Sequence, residues 1–346
     1  MVNAAAGGSP ENLTEFLERI RDESGLPAIA ASVMKGGVAL AAGAVGVRKM
    51  GSPTPVTFAD QFHLGSCTKA MTATLIAMFV EKGKLQWSQT LADIFPERAG
   101  KMNEKYRKVT LDLLLTHRSG TRANAGFNSP TLPLITQRMD YLDSVVNNPP
   151  EFEAGDFHYS NAGYILLGAA LERVSGKQWE ILIKERLFTP LGMSSAGFGT
   201  PSKPNQTDQP WGHVMKDGKF VPRYGDNPTG LGPAGTVHCA MLDYMKFADL
   251  HAGSGKRVPG LLKADSFHYL HQPPPGSTYA MGWGTGKRSW AHGSVLTHSG
   301  SNTMNFFVVW IAPEIDFSVA AACNASGENV SKILDKVVGE LVRKFA

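Results

Sequence analysis

A serine and a lysine stand three residues apart, Ser66 and Lys69, at the head of the apolar run HLGSCTKAMTATLIAMFVEKG that spans residues 63–83. In a helix, positions i and i+3 share a face, so the Lys69 amine comes beside the Ser66 hydroxyl, and the backbone N–H groups of the first turn stay unpaired. Such a group can act as a nucleophile with a cation and an anion-binding backbone beside it. A plain helix N-cap accounts equally well for the serine and leaves the lysine unexplained. The chain carries a second copy of the spacing, Ser32 and Lys35, in a stretch with strand character. There residues three apart face opposite ways, so the spacing carries chemistry only on the helix.

Two further stretches can complete a site. Tyr159-Ser160-Asn161 is the only Tyr-x-Asn in the chain, placed in a loop just before a helical run from Gly163. Thr297-His298-Ser299-Gly300-Ser301 precedes the strand pattern of 305–311. His-x-Gly also occurs at His251-Ala252-Gly253, where it reads as the end of a helix.

The elements that must position these residues follow from periodicity. Apolar positions Met71, Leu75, Met78 and Phe79, with Gly83 as the stop, give the Ser66 segment a helix of about 17 residues. Ser9-Pro10 is expected to cap a first helix with the stripe Leu13, Phe16, Leu17 and Ile20, ending at Gly25. Residues 28–34 and 38–47 read as strands joined by the two-residue turn Gly36-Gly37. Between 85 and 176 helical signals dominate, at 111–115, 134–146 and 163–174. The Pro-, Gly- and Asn-rich stretch 197–232 reads as long surface loops, followed by a helix at 242–251. Strands return at 305–311 and 317–323, and Val330, Ile333, Leu334, Val337 and Leu341 mark a closing amphipathic helix.

The expected fold class is therefore α+β: an antiparallel sheet built by both termini and flanked by helices, with an all-helical insertion. The sheet lobe takes residues 1–84 and 180–346, the helical lobe residues 85–179, and a cleft lies between them.

Composition excludes several other classes. The 346 residues carry 34 basic and 30 acidic side chains, a net +4, with no block of like charge, so no nucleic-acid partner is expected. The longest uncharged apolar run, 70–80, is too short for a membrane span. Residues 1–10 carry no basic and apolar leader pattern, and compartment and oligomeric state stay open. Cys67, Cys239 and Cys323 are expected as buried free thiols. None of the ten histidines forms His-Glu-x-x-His, and Met281 stands where a phosphate-binding loop ending at Gly286-Lys287 needs glycine. No metal or other cofactor is expected.

Taken in order, Ser66-x-x-Lys69, Tyr159-x-Asn161 and His298-x-Gly300 resemble the three motifs of the serine β-lactamase and penicillin-binding superfamily, in its class C branch. That branch holds D-alanyl-D-alanine carboxypeptidases, class C β-lactamases, carboxylesterases and D-aminopeptidases. VTLDLLLTHRSG at 109–120, YSNAGYILLGAALERVSGK at 159–177, LFTPLGM at 187–193 and PAGTVH at 233–238 are similar to the same family. The resemblance covers the chain from about residue 10 to its end and implies a β-lactamase/transpeptidase-like fold.

The resemblance further implies that Ser66 forms an acyl-enzyme while Lys69 and Tyr159 handle its proton. Asn161 would hold a substrate amide or carbonyl, His298, Ser299 and Gly300 would line the cleft, and the N–H groups of Ser66 and Ser301 would form an oxyanion hole. The base is the Lys69–Tyr159 pair, titrating as a unit, with Tyr159 as the final donor to the leaving group. β-Lactamases of the branch carry lysine where this chain has His298. Losing that charge-assisted contact costs ~1.5–3 kcal/mol of carboxylate recognition, which implies weak β-lactam hydrolysis. The expected partner is a small ester or a D-amino-acid amide or peptide; weak or moderate β-lactam turnover, or acylation that stalls as in a penicillin-binding protein, is the alternative.

Overall fold

The computed structural model describes residues 9–127 and 130–346; most of the stretch in which a leader was sought, residues 1–8, lies outside them. One seven-stranded sheet runs in the order Glu11–Asn12, Val38–Gly46, Ala28–Lys35, Phe317–Cys323, Phe306–Ala312, Gly293–Ser301, Gly284–Arg288. The outermost pair at the amino-terminal edge is parallel and every other pair antiparallel. Both ends of the chain thus build the sheet, in the β-lactamase/transpeptidase-like manner expected.

The central strands are apolar on both faces because both faces are covered. Ile29, Ala31, Val33, Val319 and Ala321 pack under the first helix, Thr14–Ser24, and the last, Glu328–Phe345. Their neighbours Ala30, Met34, Ala320 and Ala322 face the other way, against Tyr244, Phe247 and Ala248 of the helix Met241–Ala252. That second cluster continues through the buried helix Thr68–Glu81 into Leu114, Leu142 and Leu166 of the helices Leu111–Leu115, Leu134–Val146 and Asn161–Ser175. Among the described residues from Leu91 to Ile183, the regular elements are all helices. No helix of the described residues is long and apolar enough to cross a membrane.

Three local expectations are corrected. The first helix begins at Thr14, not at Ser9-Pro10. Glu11 and Asn12 are drawn instead into register with Ala41 and Ala42, and Asn12 Oδ1 accepts the Thr14 N–H at 2.9 Å. The stretch 197–232 is not loop throughout: Gly212–Lys216 and Lys219–Arg223 form a hairpin. Its turn, Asp217-Gly218, holds φ of +49° and +74°, the backbone such a two-residue turn requires. The Ser66 helix comes in two pieces, a 3-10 turn Gly65–Cys67 and the α-helix Thr68–Glu81. The three cysteines are buried free thiols.

The strand Gly293–Ser301 runs directly against the Gly65–Cys67 turn. A Cβ on Gly300 would lie 2.0 Å from the Leu64 carbonyl oxygen and 2.6 Å from the Ser66 nitrogen, so no side chain fits. Gly300→Ala is expected to destabilise by at least ~1–3 kcal/mol in urea unfolding, since rigid backbone must move aside. Gly100→Ala, where a Cβ meets nothing within 4 Å, should unfold at the parent midpoint.

Candidate active site

Ser66 sits in the middle of the 3-10 turn and its side chain caps no helix, which removes the N-cap explanation for it. Its hydroxyl accepts from Lys69 Nζ at 3.1 Å, as the i, i+3 geometry requires. Gly65, just before it, holds φ +50°, and a Cβ there would fall 2.3 Å from the Ser301 nitrogen. Glycine at this position meets both demands, the left-handed backbone and the close approach.

Lys69 is fully buried and has three hydrogen bonds: to Ser66 Oγ, to Asn161 Oδ1 at 2.6 Å and to the Ala234 carbonyl at 2.7 Å. Each acceptor is itself held. Thr72 Oγ1 donates to the Pro233 carbonyl at 2.7 Å, pinning the Ala234 turn to the Lys69 helix. Asn161 opens the helix Asn161–Ser175, whose N-cap Ser160 accepts the Gly163 N–H at 2.9 Å. Asn161 Nδ2 donates to Asn124 Oδ1 at 2.9 Å, so the amide presents its oxygen to the lysine.

Burial without a carboxylate partner pulls the Lys69 amine down to about 7. With two N–H bonds spent on Asn161 and Ala234, the third tetrahedral position of Nζ faces Ser66 Oγ. In the neutral amine that position is a lone pair. The Tyr159 ring lies 4.8 Å from Nζ. Burial pushes its phenol up, with Ser66 drawing it part of the way back, and its buried oxygen closes no hydrogen bond of normal length among the described residues. The two groups thus move apart: the lysine is poised to lose its proton and the tyrosine to keep one. Both shifts have one cause, since desolvation penalises the ammonium and the phenolate at once.

His298 lies on the strand Gly293–Ser301, but its ring does not offer a free nitrogen. Nδ1 donates to the Ser299 carbonyl at 2.6 Å, which leaves Nε2 to accept the Tyr279 hydroxyl at 3.0 Å. Burial pulls this imidazole down to about 4, and the Lys69 charge adds to the effect. The His298 carbonyl accepts Cys67 Sγ–H at 3.5 Å, a second tie between strand and turn. Ser299 and Ser301 are exposed on the strand, and Ser301 Oγ shares a 2.7 Å hydrogen bond with Ser326 Oγ. The edge strand Gly284–Arg288 pairs only with residues 293–297, so the outer edge of 298–301 has no strand partner among the described residues.

Ser66, Lys69, Tyr159, Asn161 and the backbone of 298–301 therefore come together in space. Sequence reasoning misses Tyr279, which follows a Pro-rich turn and has no motif around it. His117 Nδ1 accepts the Ser160 N–H at 3.1 Å, and its ring packs 4.2 Å from that of Tyr159. The second Ser-x-x-Lys, Ser32 and Lys35, lies on the strand Ala28–Lys35 as expected, and His251 ends the helix Met241–Ala252 bonded to His271.

A serine, a lysine and a tyrosine gathered in this way are what the class C resemblance implies, and comparison with known proteins leads to the same family. The β-lactamase family profile matches residues 13–343, and the chain belongs to that family. Penicillin-binding protein 4 of Amycolatopsis lactamdurans is 28% identical, over 96% of this chain and 89% of that one. The class C β-lactamase of Rhodobacter sphaeroides superposes with a TM-score of 0.77 at 20% identity, covering 96% of this chain and 99% of its own. The D-alanine carboxypeptidase AmpC of Burkholderia cenocepacia gives 0.75 at 20% identity, covering 95% and 97%.

The state of the amine can be read directly. Lysine-selective 15N NMR should show one Nζ titrating at about 7, where exposed lysines titrate near ~10.4, and Lys69→Arg should remove that signal. The unfolded chain keeps this amine protonated up to ~10.4, so Lys69 opposes folding fully below pH 7 and progressively less as pH rises from there. An Nζ midpoint near that of the surface lysines would contradict the burial argument.

Proposed function

We propose that the protein is a serine hydrolase that cleaves a small ester or a D-amino-acid amide or peptide through an acyl-Ser66 intermediate. The observation that carries this reading is the buried Lys69 amine, 3.1 Å from Ser66 Oγ and brought down to about 7. Neutral Lys69 takes the Ser66 proton as Oγ attacks the acyl carbon, and the N–H groups of Ser66 and Ser301 receive the oxyanion. Tyr159, held protonated by burial, hands its proton to the leaving alcohol or amine and is reprotonated from Lys69. Water then releases the acyl group by the same groups in reverse.

Asn161 serves twice in this scheme, orienting Lys69 through Oδ1 and standing at the cleft for a substrate amide. The unpaired outer edge of 298–301 suits an extended acyl segment added as a strand, with Ser299 beside it. The names of its relatives, a penicillin-binding protein and a D-alanine carboxypeptidase, favour acyl groups of the D-peptide kind. The neutral, already bonded His298 leaves a β-lactam carboxylate without a cation from that position, which supports slow β-lactam turnover.

Side-by-side rates with a short-chain p-nitrophenyl ester, a D-Ala-D-Ala peptide and nitrocefin test the scheme. The ester or the peptide should lead, nitrocefin should trail, and Ser66→Ala should lose roughly a thousandfold or more on all three. Intact mass after penicillin exposure should show a covalent adduct that Ser66→Ala abolishes; an adduct that persists for hours marks a stalling penicillin-binding protein instead. Undiminished turnover by Ser66→Ala would remove the nucleophile and the scheme with it.

A further inference from the structure

A buried aspartate outside the three motifs touches both arms of the oxyanion hole. Asp226 lies on the connection between the hairpin strand Lys219–Arg223 and the turn Thr229–Leu231, with its side chain only 8% exposed. Its Oδ2 faces His63 Nε2 at 3.0 Å, and its Oδ1 accepts Asn302 Nδ2 at 2.9 Å.

Each contact leads to one donor of the hole. His63 is fully buried at the end of the strand Gln61–His63, and its Nδ1 faces the Gly65 N–H at 3.1 Å. A backbone N–H can only donate, so Nδ1 accepts and the ring proton sits on Nε2, where it donates to Asp226. The Gly65 carbonyl carbon is bonded to the Ser66 nitrogen, so fixing the Gly65 backbone constrains the peptide plane that holds the Ser66 N–H. On the other arm, Asn302 follows Ser301 directly. Asn302 Oδ1 accepts the Met304 N–H at 3.3 Å and Asn305 Nδ2 at 3.0 Å, which leaves its Nδ2 for Asp226 and fixes the amide's orientation.

The arms meet backbone to backbone, with the Gly65 Cβ position 2.3 Å from the Ser301 nitrogen and that of Gly300 2.6 Å from the Ser66 nitrogen. Contact alone sets how close they come; it does not set how the two N–H vectors converge. The polar tie does so: one carboxylate, two oxygens, one arm on each.

We propose that Asp226 is a positioning residue that clamps the two oxyanion-hole arms, through His63 to the Ser66 N–H and through Asn302 to the Ser301 N–H. The inference rests on Ser66 as nucleophile with that pair of donors. It predicts a pattern set by donors and acceptors and not by bulk. In Asp226→Asn, one oxygen becomes an NH2 that must face a donor, either Asn302 Nδ2 or His63 Nε2. In Asn302→Asp, two carboxylates oppose each other. The double swap, Asp226→Asn with Asn302→Asp, restores every bond. Its new amide accepts from His63 and donates to the new carboxylate across from it, whose other oxygen keeps Met304 and Asn305.

Full-length parent, both single variants and the double are compared on p-nitrophenyl acetate, normalised by the p-nitrophenol burst, together with inhibition by phenylboronic acid. Each single should lower kcat by roughly tenfold or more with KM within about twofold, since a displaced oxyanion donor acts on the transition state. The boronic acid Ki should rise in parallel, and the double should return to within about threefold of the parent. A kcat within about twofold of the parent in both singles, a loss wholly in KM, or a double no faster than the slower single would overturn the clamp. Should Asp226→Asn fail to fold, Asn302→Asp and the double decide alone. Undiminished turnover in Ser66→Ala would instead remove the nucleophile; a roughly thousandfold loss in Ser66→Ala beside an unimpaired Asp226→Asn removes the clamp only.

Discussion

The site depends on an amine placed where water cannot reach it. Lys69 is fully buried, and what stabilises it there is a pair of carbonyl oxygens, Asn161 Oδ1 and Ala234 O, with no carboxylate among its hydrogen-bond partners. Neutral carbonyls answer an ammonium's charge less fully than a carboxylate does. Desolvation therefore outweighs them, and the proton binds more weakly than on a lysine in water. An aspartate in place of Asn161 would answer the charge and keep the ammonium. The choice of amide over acid is what makes the lysine a candidate base, and it also ties three separate pieces of chain to one atom.

The second constraint is the space between backbones. The turn that carries Ser66 and the strand across from it approach so closely that Gly65 and Gly300 can carry no side chain. Cys67 Sγ–H reaches the His298 carbonyl in the same seam. On the helix side, a Cβ on Gly282 would fall 2.6 Å from Ala70 Cα, so the segment leading into the strand Gly284–Arg288 is pressed against the Lys69 turn as well. Packing of this kind fixes distances closely, and in the same region Asp226 bonds both His63 and Asn302.

How much of this is legible in the sequence follows from what each signal encodes. The helices 111–115 and 134–146 and the strand 317–323 can be read to the residue because apolar periodicity and the local turns agree there. Ser66, Lys69, Tyr159, Asn161 and His298 stand out because their chemistry is spaced in short motifs. The hairpin at 212–223 hides in a Pro- and Gly-rich stretch, although Asp217-Gly218 is a turn signal in its own right. The start of the first helix is misplaced because a tertiary partner, Val38–Gly46, captures residues 11–12 as a strand. The contacts Tyr279–His298, Asp226–His63 and Asp226–Asn302 leave no mark in the sequence: they join residues 19, 163 and 76 positions apart, which no short window contains.

His298 shows how a motif position can keep its place and change its job. A lysine there would carry a fixed charge. The imidazole is instead turned into the protein, Nδ1 spent on the Ser299 carbonyl and Nε2 on the Tyr279 hydroxyl. Burial disfavours the imidazolium, and Lys69 nearby adds like charge in its protonated form, so the ring is held neutral down to about pH 4. What it supplies is shape: it anchors Tyr279, whose ring stands edge-on to Tyr159 at 6.2 Å, and Tyr159 in turn covers Lys69. The histidine thus helps build the dry wall that depresses the lysine. Beside this wall Ser299 is exposed and the outer edge of 298–301 has no strand partner among the described residues, so this side of the strand is polar and uncharged.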